Sequence, residues 1–507
     1  MWRDEVRAFS VATRSGSWSD MLAALHEEGH PVIWYAILRA GHAIFGNVLV
    51  LPVTALFIGV AAAWLILREA PFPFAVRLLA VFGAFLGYEL SIVARNYGIG
   101  VLFLVAACAF YEKRAERPWL LGIALALLAN TSVHAAAAAA LIAAVWATDL
   151  LAGRTRTNKL LTLASLALVC IAIVFALDTA RPSAEMAYAF DWSRLSPTTI
   201  REALFQDPGS GLRGVDGANI VASGELPWAR LDLDRDLVSR ILVNVAVGSI
   251  AWGLRRNIVP LIAFVVAVLG FELIFRVIYP GGLRHHAVLA FLMIAVCWIA
   301  IVTSEPDDRA AATRRISYGL LPLLILQAIA LPFTAIRHIR SAESMGASLA
   351  REVRTTSRYK NAILMSEPDA LMETLPFYVD NPVFFPRQRE FDYRAYFDKG
   401  AKRKKLLRLS ELMAIADSVG CETGRPVLLS IGHRSFHFDS AGTAAAPYGA
   451  IFTWSKRGKE AFEGRTHALR WYRGATSDEA FRTYEVFSKC GTATKRGSGV
   501  SFNELRE

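Results

Sequence analysis

The chain carries a succession of apolar runs, each about as long as the hydrocarbon core of a bilayer is thick. A spanning helix needs roughly 17–25 predominantly apolar residues. Runs of that kind occupy 48–67, 77–94, 160–177, 238–254, 257–276, 286–303 and 316–336, with shorter ones at 98–111, 118–130 and 136–150. Inside lipid each backbone N–H and C=O must find its partner within the segment, so such runs have to be helices. About ten spans are expected, the three short stretches being able to merge or re-enter. The small residues Ala135–Ala140 allow close helix approach.

Charge sets the orientation. Arg68 and Arg77 flank one short loop; Lys113, Arg114 and Arg117 occupy a second; Arg154, Arg156 and Lys159 a third; Arg255 and Arg256 a fourth; Arg309, Arg314 and Arg315 a fifth. The positive-inside rule makes these loops cytoplasmic. Segments 1–47, 95–97, 131–135, 178–237, 277–285 and everything after about 337 then face outward. Ten spans return the chain to its starting side, so the assignment closes. Much of the net charge of +11 sits in these loops and is orienting charge, not a nucleic-acid surface. No apolar segment precedes Asp4 to carry the N-terminus outward, so a further span upstream is expected.

The unusual polar residues fall on the outward side. Asp4, Glu5, Glu27, Glu28 and His30 lie in the first outer segment. Glu89, Arg95, Asn96 and Tyr97 lie at the outer end of the second span, and Asn130, Ser132 and His134 at the next outer turn. Arg284, His285 and His286 end another outer loop. Ionisable residues near membrane depth usually line an interior site. The first group offers a base or a metal ligand. Arginine's planar fork suits phosphate oxygens, and a histidine can give a hydrogen bond or a proton to a leaving phosphate. A carboxylate facing such cations suggests group transfer from a lipid phosphate. Residues 31–47 are apolar but contain Arg39 and His42. They read as a helix lying in the interface, with Trp34 and Tyr35 at headgroup level.

Four segments carry a family likeness: Trp2-Arg-Asp-Glu5, Glu28-Gly-His-Pro-Val-Ile-Trp-Tyr35, Ala94-Arg-Asn-Tyr-Gly98 and Leu283-Arg-His-His286. Over roughly residues 1–300 the chain resembles the GT-C glycosyltransferase superfamily, in particular bacterial protein-mannosyltransferase-like and lipopolysaccharide sugar transferase-like members. The resemblance implies a GT-C-like bundle that uses a polyprenyl-phosphate-linked sugar, with an acidic motif in the first outer loop. It makes Asp4 the catalytic base, with Glu5 second, and Arg95 and Arg284 contacts to the donor phosphate. Glu28, His30, Asn96, Tyr97, His134 and His285 complete the candidate substrate site. Some members use a divalent cation such as Mg or Mn and others do not; Asp4, Glu5 and Glu28 would be its ligands here.

Other patterns carry less. Gly209–Gly214 matches GxGxxG but follows no strand. Asp232, Asp234 and Asp236 alternate as in a calcium loop, yet Leu237 stands where the turn glycine belongs. The basic run Lys399–Lys405 reads as a solvated surface or as a contact to acidic headgroups. The long outer loop 178–237 has the length of a lid.

Beyond about 340 the composition is that of a soluble domain. Strands are expected at 362–365, 427–431, 450–454 and 484–487, and a helix over about 411–419, with Ser410 as N-cap and Gly420 as its end. Cys421 and Cys490 fall in this outward segment, where an oxidising periplasm permits a disulfide. The chain is thus divided into an outer acidic segment 1–47, a transmembrane bundle 48–336 and a periplasmic α/β domain 337–507. The expected class is an α-helical polytopic protein of a bacterial inner membrane with a C-terminal extracytoplasmic α/β domain. Its expected activity is hexosyl or pentosyl transfer to an envelope glycan, lipid or protein, among membrane lipids and without nucleic acid. A transporter or flippase of lipid-linked sugars, or a non-catalytic polysaccharide-assembly protein, is the alternative.

Overall fold

The computed structural model describes residues 2–153, 158–181, 196–201, 212, 235–278, 281–340, 344–396, 404–446, 449–474 and 479–490. Most of loop 178–237, with the Gly209–Gly214 and Asp232/Asp234 motifs, lies outside these residues, as do 399–403 of the basic run. The chain divides into two compact units, Met1–Ala342 with Phe397–Lys399, and Glu343–Tyr396 with Gly400–Glu507.

Three amphipathic helices open the first unit: α1 (Arg3–Arg14), α2 (Trp18–Glu28) and α3 (Ile33–Phe45). The apolar α4 (Val50–Glu69), α5 (Phe74–Val81), α6 (Asn96–Tyr111), α7 (Pro118–Ala129), α8 (Val133–Leu151) and α9 (Lys159–Thr179) follow, then helices Arg235–Leu254, Ile258–Leu273, Leu283–Val302 and Arg309–Arg340. Among the described residues seven helices are long and apolar enough to cross a membrane, while α6 and α7 are shorter apolar helices. The protein is a polytopic α-helical membrane protein with a sheet-containing C-terminal unit.

Helix Leu283–Val302 is the hub, since every residue from His285 to Val302 is buried. The outer helices instead leave broad apolar faces bare, as at Phe57 and Val60 of α4 or Ile171 and Val174 of α9, which in lipid is the favourable arrangement. Helix Arg235–Leu254 lies along Arg309–Arg340 at backbone distance: a Cβ on Gly319 would stand 2.6 Å from the Ser249 carbonyl oxygen. The Ser249 hydroxyl also donates to the Gly319 carbonyl at 2.7 Å. Small residues and interhelical hydrogen bonds replace the hydrophobic effect that lipid removes.

Two expectations about the bundle are corrected. Stretch 77–94 is not one span: α5 stops at Val81, and a π-turn over Phe85–Glu89 follows. The break is tolerated because partners exist for its polar groups. The Phe85 N–H donates to the Gln327 side chain at 3.2 Å, and Ser91 donates to the Leu86 carbonyl. Secondly, Trp34 and Tyr35 are each 1% exposed, so their rings are covered by protein and are not presented to lipid headgroups. They face inward, and the exposed apolar residues of α3 are Ile44 and Phe45 at its far end.

In the second unit a six-stranded mixed sheet has the order β3-β2-β1-β5-β9-β8 and a three-stranded sheet the order β4-β7-β6. The strands are β1 Ile363–Glu367, β2 Val383–Phe385, β3 Glu390–Phe391, β4 Leu406–Arg408, β5 Val427–Ile431, β6 Gly442–Ala446, β7 Ala450–Trp454, β8 Thr466–Tyr472 and β9 Phe481–Val486. β1 and β5 pair in parallel, Ile363 opposite Val427 and Glu367 opposite Ile431, and both are buried along their whole length. Central parallel strands are covered on both faces, hence their unbroken apolar sequence.

A fully buried Arg387 joins the two sheets. It grips Glu367 through Nε (2.9 Å) and Nη2 (2.7 Å) and donates to the carbonyls of Lys405 (2.6 Å) and Ile451 (3.2 Å). The helix expected over 411–419 runs from Leu409 to Thr423, with Arg408 at the N-cap position. Its terminator is Gly424, at φ 64°, whose N–H donates to the Gly420 carbonyl; Gly420 itself stays inside the helix, so the left-handed cap falls one turn later. Cys421 and Cys490 form a disulfide between this helix and the segment after β9.

Candidate functional site

The site grows from the first turn of α1. Two acidic residues there are favoured by the helix dipole, but their side chains have different surroundings. Glu5 is consumed by the backbone: Oε2 accepts from the Trp2 N–H at 2.6 Å and Oε1 from the Ala94 N–H at 2.7 Å. Arg95 adds a second tie, donating to the Asp4 carbonyl at 2.6 Å. These contacts fix α1 to the turn before α6. Arg39 holds the other end of α1, donating to the carbonyls of Ala12 (3.1 Å), Ser15 (2.9 Å) and Gly16 (2.9 Å).

The Asp4 carboxylate is left among cations. Arg3 Nε lies 3.6 Å from Oδ1 and Arg284 Nη2 4.0 Å from Oδ2, and the Asp4 side chain is 26% exposed. Burial works to raise its pKa, but Arg95, Arg3, Arg284 and Arg7 outweigh it and hold the carboxyl below its ordinary value. Arg284 stacks over the Trp2 ring at 4.2 Å, which keeps its plane fixed, and its buried Nη1 has no hydrogen-bond partner.

His30 completes this group. Its Nε2 lies 3.2 Å from Arg95 Nη2; since arginine only donates, the ring nitrogen accepts and the ring is neutral. Burial, and then Arg95, push its pKa down to about 3. Asn96 sits behind, donating to the Thr131 carbonyl at 2.6 Å, which ties the Arg95 turn to the turn before α8.

A second group adjoins it. The His30 and Tyr97 rings meet edge to face at 6.0 Å between centroids. The Gly282 N–H donates to His285 Nδ1 at 2.8 Å, and His285 Nε2 lies 2.8 Å from the Tyr97 hydroxyl. With Nδ1 accepting, a neutral His285 carries its proton on Nε2 and donates to Tyr97. His134 packs on His285 (4.9 Å between centroids) and stacks with Phe275 (5.9 Å), while His286 packs on Phe275 at 4.3 Å.

Of the expected site residues, Asp4, His30, Arg95 and Arg284 come together, with Tyr97, His285 and His134 alongside. Glu28 is spent elsewhere: Arg7 Nε lies 2.8 Å from it, with both side chains 4–5% exposed, and the Tyr35 hydroxyl is 3.5 Å away. Trp2 and Arg3 stand in the Trp2–Glu5 motif but had no role assigned from sequence, and Arg7 was not singled out. The available signal was helical spacing, which puts Arg7 one turn from Asp4 on the same face.

A divalent cation does not fit the donors present. Glu5 is committed to two N–H groups, Glu28 to Arg7, and the remaining Asp4 is ringed by guanidiniums that would repel a metal. Among the described residues no group of three or more His, Cys, Asp or Glu side chains is gathered for a metal ion.

Fold and site define an integral membrane protein that keeps one ionised carboxylate inside an arginine cluster at one end of its helix bundle. No family model matches the sequence, and no curated protein matches it. Among solved structures the chain has a likeness to the crystal structure of ArnT from Cupriavidus metallidurans in the apo state, at 12% sequence identity and a TM-score of 0.43, covering 95% of this chain and 93% of that one.

Proposed function

We propose that the protein is a GT-C type glycosyltransferase that moves a sugar from a polyprenyl-phosphate-linked donor to an envelope acceptor on the periplasmic face of a bacterial inner membrane. One observation carries the reading: the Asp4 carboxylate, partly exposed and held ionised, lies 4.0 Å from an Arg284 guanidinium that has an N–H to spare. That is a base beside a phosphate clamp.

In the proposed step an acceptor hydroxyl enters against Asp4. The carboxylate takes the hydroxyl proton as the oxygen attacks the anomeric carbon. The bond from that carbon to the phosphate oxygen breaks, and the phosphate leaves with the electron pair. Arg284 and Arg3 neutralise the developing charge. Arg95, bound to the Asp4 carbonyl and His30, positions the base, and its buried Nε, which has no hydrogen-bond partner, is kept for the donor phosphate. Single displacement inverts the sugar carbon.

The test is to incubate purified protein with radiolabelled polyprenyl-phosphate sugars and candidate envelope acceptors. Transfer by the wild type that Asp4→Asn abolishes supports the reading. Transfer that survives Asp4→Asn unchanged removes the base assignment. Movement of the sugar-lipid across the bilayer without any transfer would make the protein a transporter.

A further inference from the structure

At the other end of the bundle, where the arginine-rich loops lie, a cavity of about 530 Å3 opens between the ends of four helices. It is far from the Asp4 cluster. Helix Leu283–Val302 starts beside His285 and ends against this cavity, and 20 residues at about 1.5 Å each span roughly 30 Å. One wall is closed by a finished ion pair: Arg114 Nη2 lies 2.9 Å from Asp149, which also accepts from the Tyr111 hydroxyl at 2.9 Å.

The opposite wall is not finished in this way. Arg315 is held by neutral acceptors, donating to the Gly253 carbonyl at 2.8 Å and to the Asn257 side chain at 3.0 Å. Asn257 is itself anchored, donating to the Ala300 carbonyl (3.2 Å) and the Ser304 hydroxyl (3.0 Å). A guanidinium hydrogen-bonded only to neutral groups, with Asp308 acting on it from beyond ion-pair distance, keeps charge for a further partner. Arg256 also lines the cavity, and among the described residues neither arginine has a carboxylate within salt-bridge distance. Glu305 and Asp308 lie on the same lining, with Ile258, an apolar residue 60% exposed, at the edge.

We propose that this cavity binds the headgroup of a membrane phospholipid carrying both a phosphate and an ammonium group, as phosphoethanolamine does. The phosphate lies on Arg256 and Arg315, the ammonium on Glu305 and Asp308, and the acyl chains leave past Ile258 along the bare apolar helix faces. Two cations alone would select an anionic lipid; the two carboxylates on the same lining select a zwitterion whose ammonium can donate hydrogen bonds, which the quaternary ammonium of phosphatidylcholine cannot.

The test uses the full chain, delipidated in detergent, with bound lipid counted by native mass spectrometry after adding phosphatidylethanolamine, phosphatidylglycerol or phosphatidylcholine of matched chains. Phosphatidylethanolamine is expected to bind tightest. Arg256→Gln should weaken it about tenfold, the order of one charge-assisted hydrogen bond. Arg255→Gln, which removes a charge that acts on Arg315 at a distance but lies outside the lining, should weaken it by clearly less than Arg256→Gln does. Joint Glu305→Gln and Asp308→Asn should erase the preference over phosphatidylglycerol. Equal effects of Arg255→Gln and Arg256→Gln, or equal binding of the three lipids, would overturn the proposal. Displacement of the lipid by an equal concentration of soluble glycerophosphoethanolamine would give the site to a free phosphoester instead. Both arginine variants change exposed side chains, so matching thermal unfolding is expected and guards against misfolding.

Discussion

Replacing Glu5 by glutamine separates the two adjacent acids of α1. Both Glu5 oxygens accept from backbone N–H groups, at 2.6 and 2.7 Å, and the side chain is buried at 9% exposure. Glutamine retains one acceptor and turns the other into an NH2 that faces a donor. Orphaning one buried N–H costs about 1–3 kcal/mol, and weakening the surviving bond from charged to neutral adds about 1 kcal/mol. The contact between α1 and the Ala94 turn should therefore lose about 2–4 kcal/mol. In hydrogen exchange, protection of the Ala94 amide should drop about 30- to 700-fold, with α1 amides following and the distant end of the bundle unchanged. Transfer activity should fall only as far as α1 loosens and recover on cooling. If Glu5→Gln abolishes transfer while Ala94 protection is untouched, the reasoning fails and Glu5, not Asp4, is the base.

Asp4→Asn should lower kcat by about 10²–10⁴-fold, the usual share of a general base, with exchange at Ala94 unchanged; steady-state kinetics beside exchange measurements check this. Because the Asp4 carboxyl is held below its ordinary 3.8, it stays ionised throughout the neutral range. The stabilisation it gives is full above that value and lost only as pH falls through the lowered one, so a pH–rate profile should show no acid limb from Asp4 above about pH 4. In the C-terminal unit, Glu367→Gln leaves Arg387 buried with no charge partner and should destabilise β1 and β5 by about 3–5 kcal/mol, read as lost amide protection in both strands; unchanged protection would refute it. Burial raises the Glu367 pKa, but His433 and Arg387 outweigh it. Its contribution is therefore present above the ordinary 4.5 and fades in stronger acid. Cys421→Ser opens a loop closed across 69 residues and should cost about 2–5 kcal/mol, seen as earlier proteolysis of the C-terminal unit under otherwise identical conditions.

How far the sequence reached can be followed residue by residue. Long apolar runs can only be helices in lipid, so seven of the ten expected spans reappear among the described residues as helices long enough to cross. Stretches 98–111 and 118–130 correspond to shorter apolar helices, and the remaining case is instructive. Stretch 77–94 is apolar enough to cross, but its break depends on Gln327, some 240 residues later, which no local pattern contains. The unbroken apolar strands β1 and β5 were visible, whereas β8, a mixed strand on the sheet edge, was not. Gly420 looked like a helix end because glycine usually is one; Gly424, four residues on, does that work.

The acids divide in the same way. Sequence alone put Asp4, Glu5 and Glu28 in a polar segment ahead of the first long apolar run, and Arg95 and Arg284 beside the ends of apolar runs, because a charge is costly in hydrocarbon. Only the tertiary structure decided their separate roles. Glu5 is taken by two N–H groups, one of them at Ala94, and Glu28 by Arg7, which leaves Asp4 with arginines around it. Composition places a carboxylate in a region, but whether it stays available depends on which donors the fold brings within 3 Å, and those arrive from distant parts of the chain.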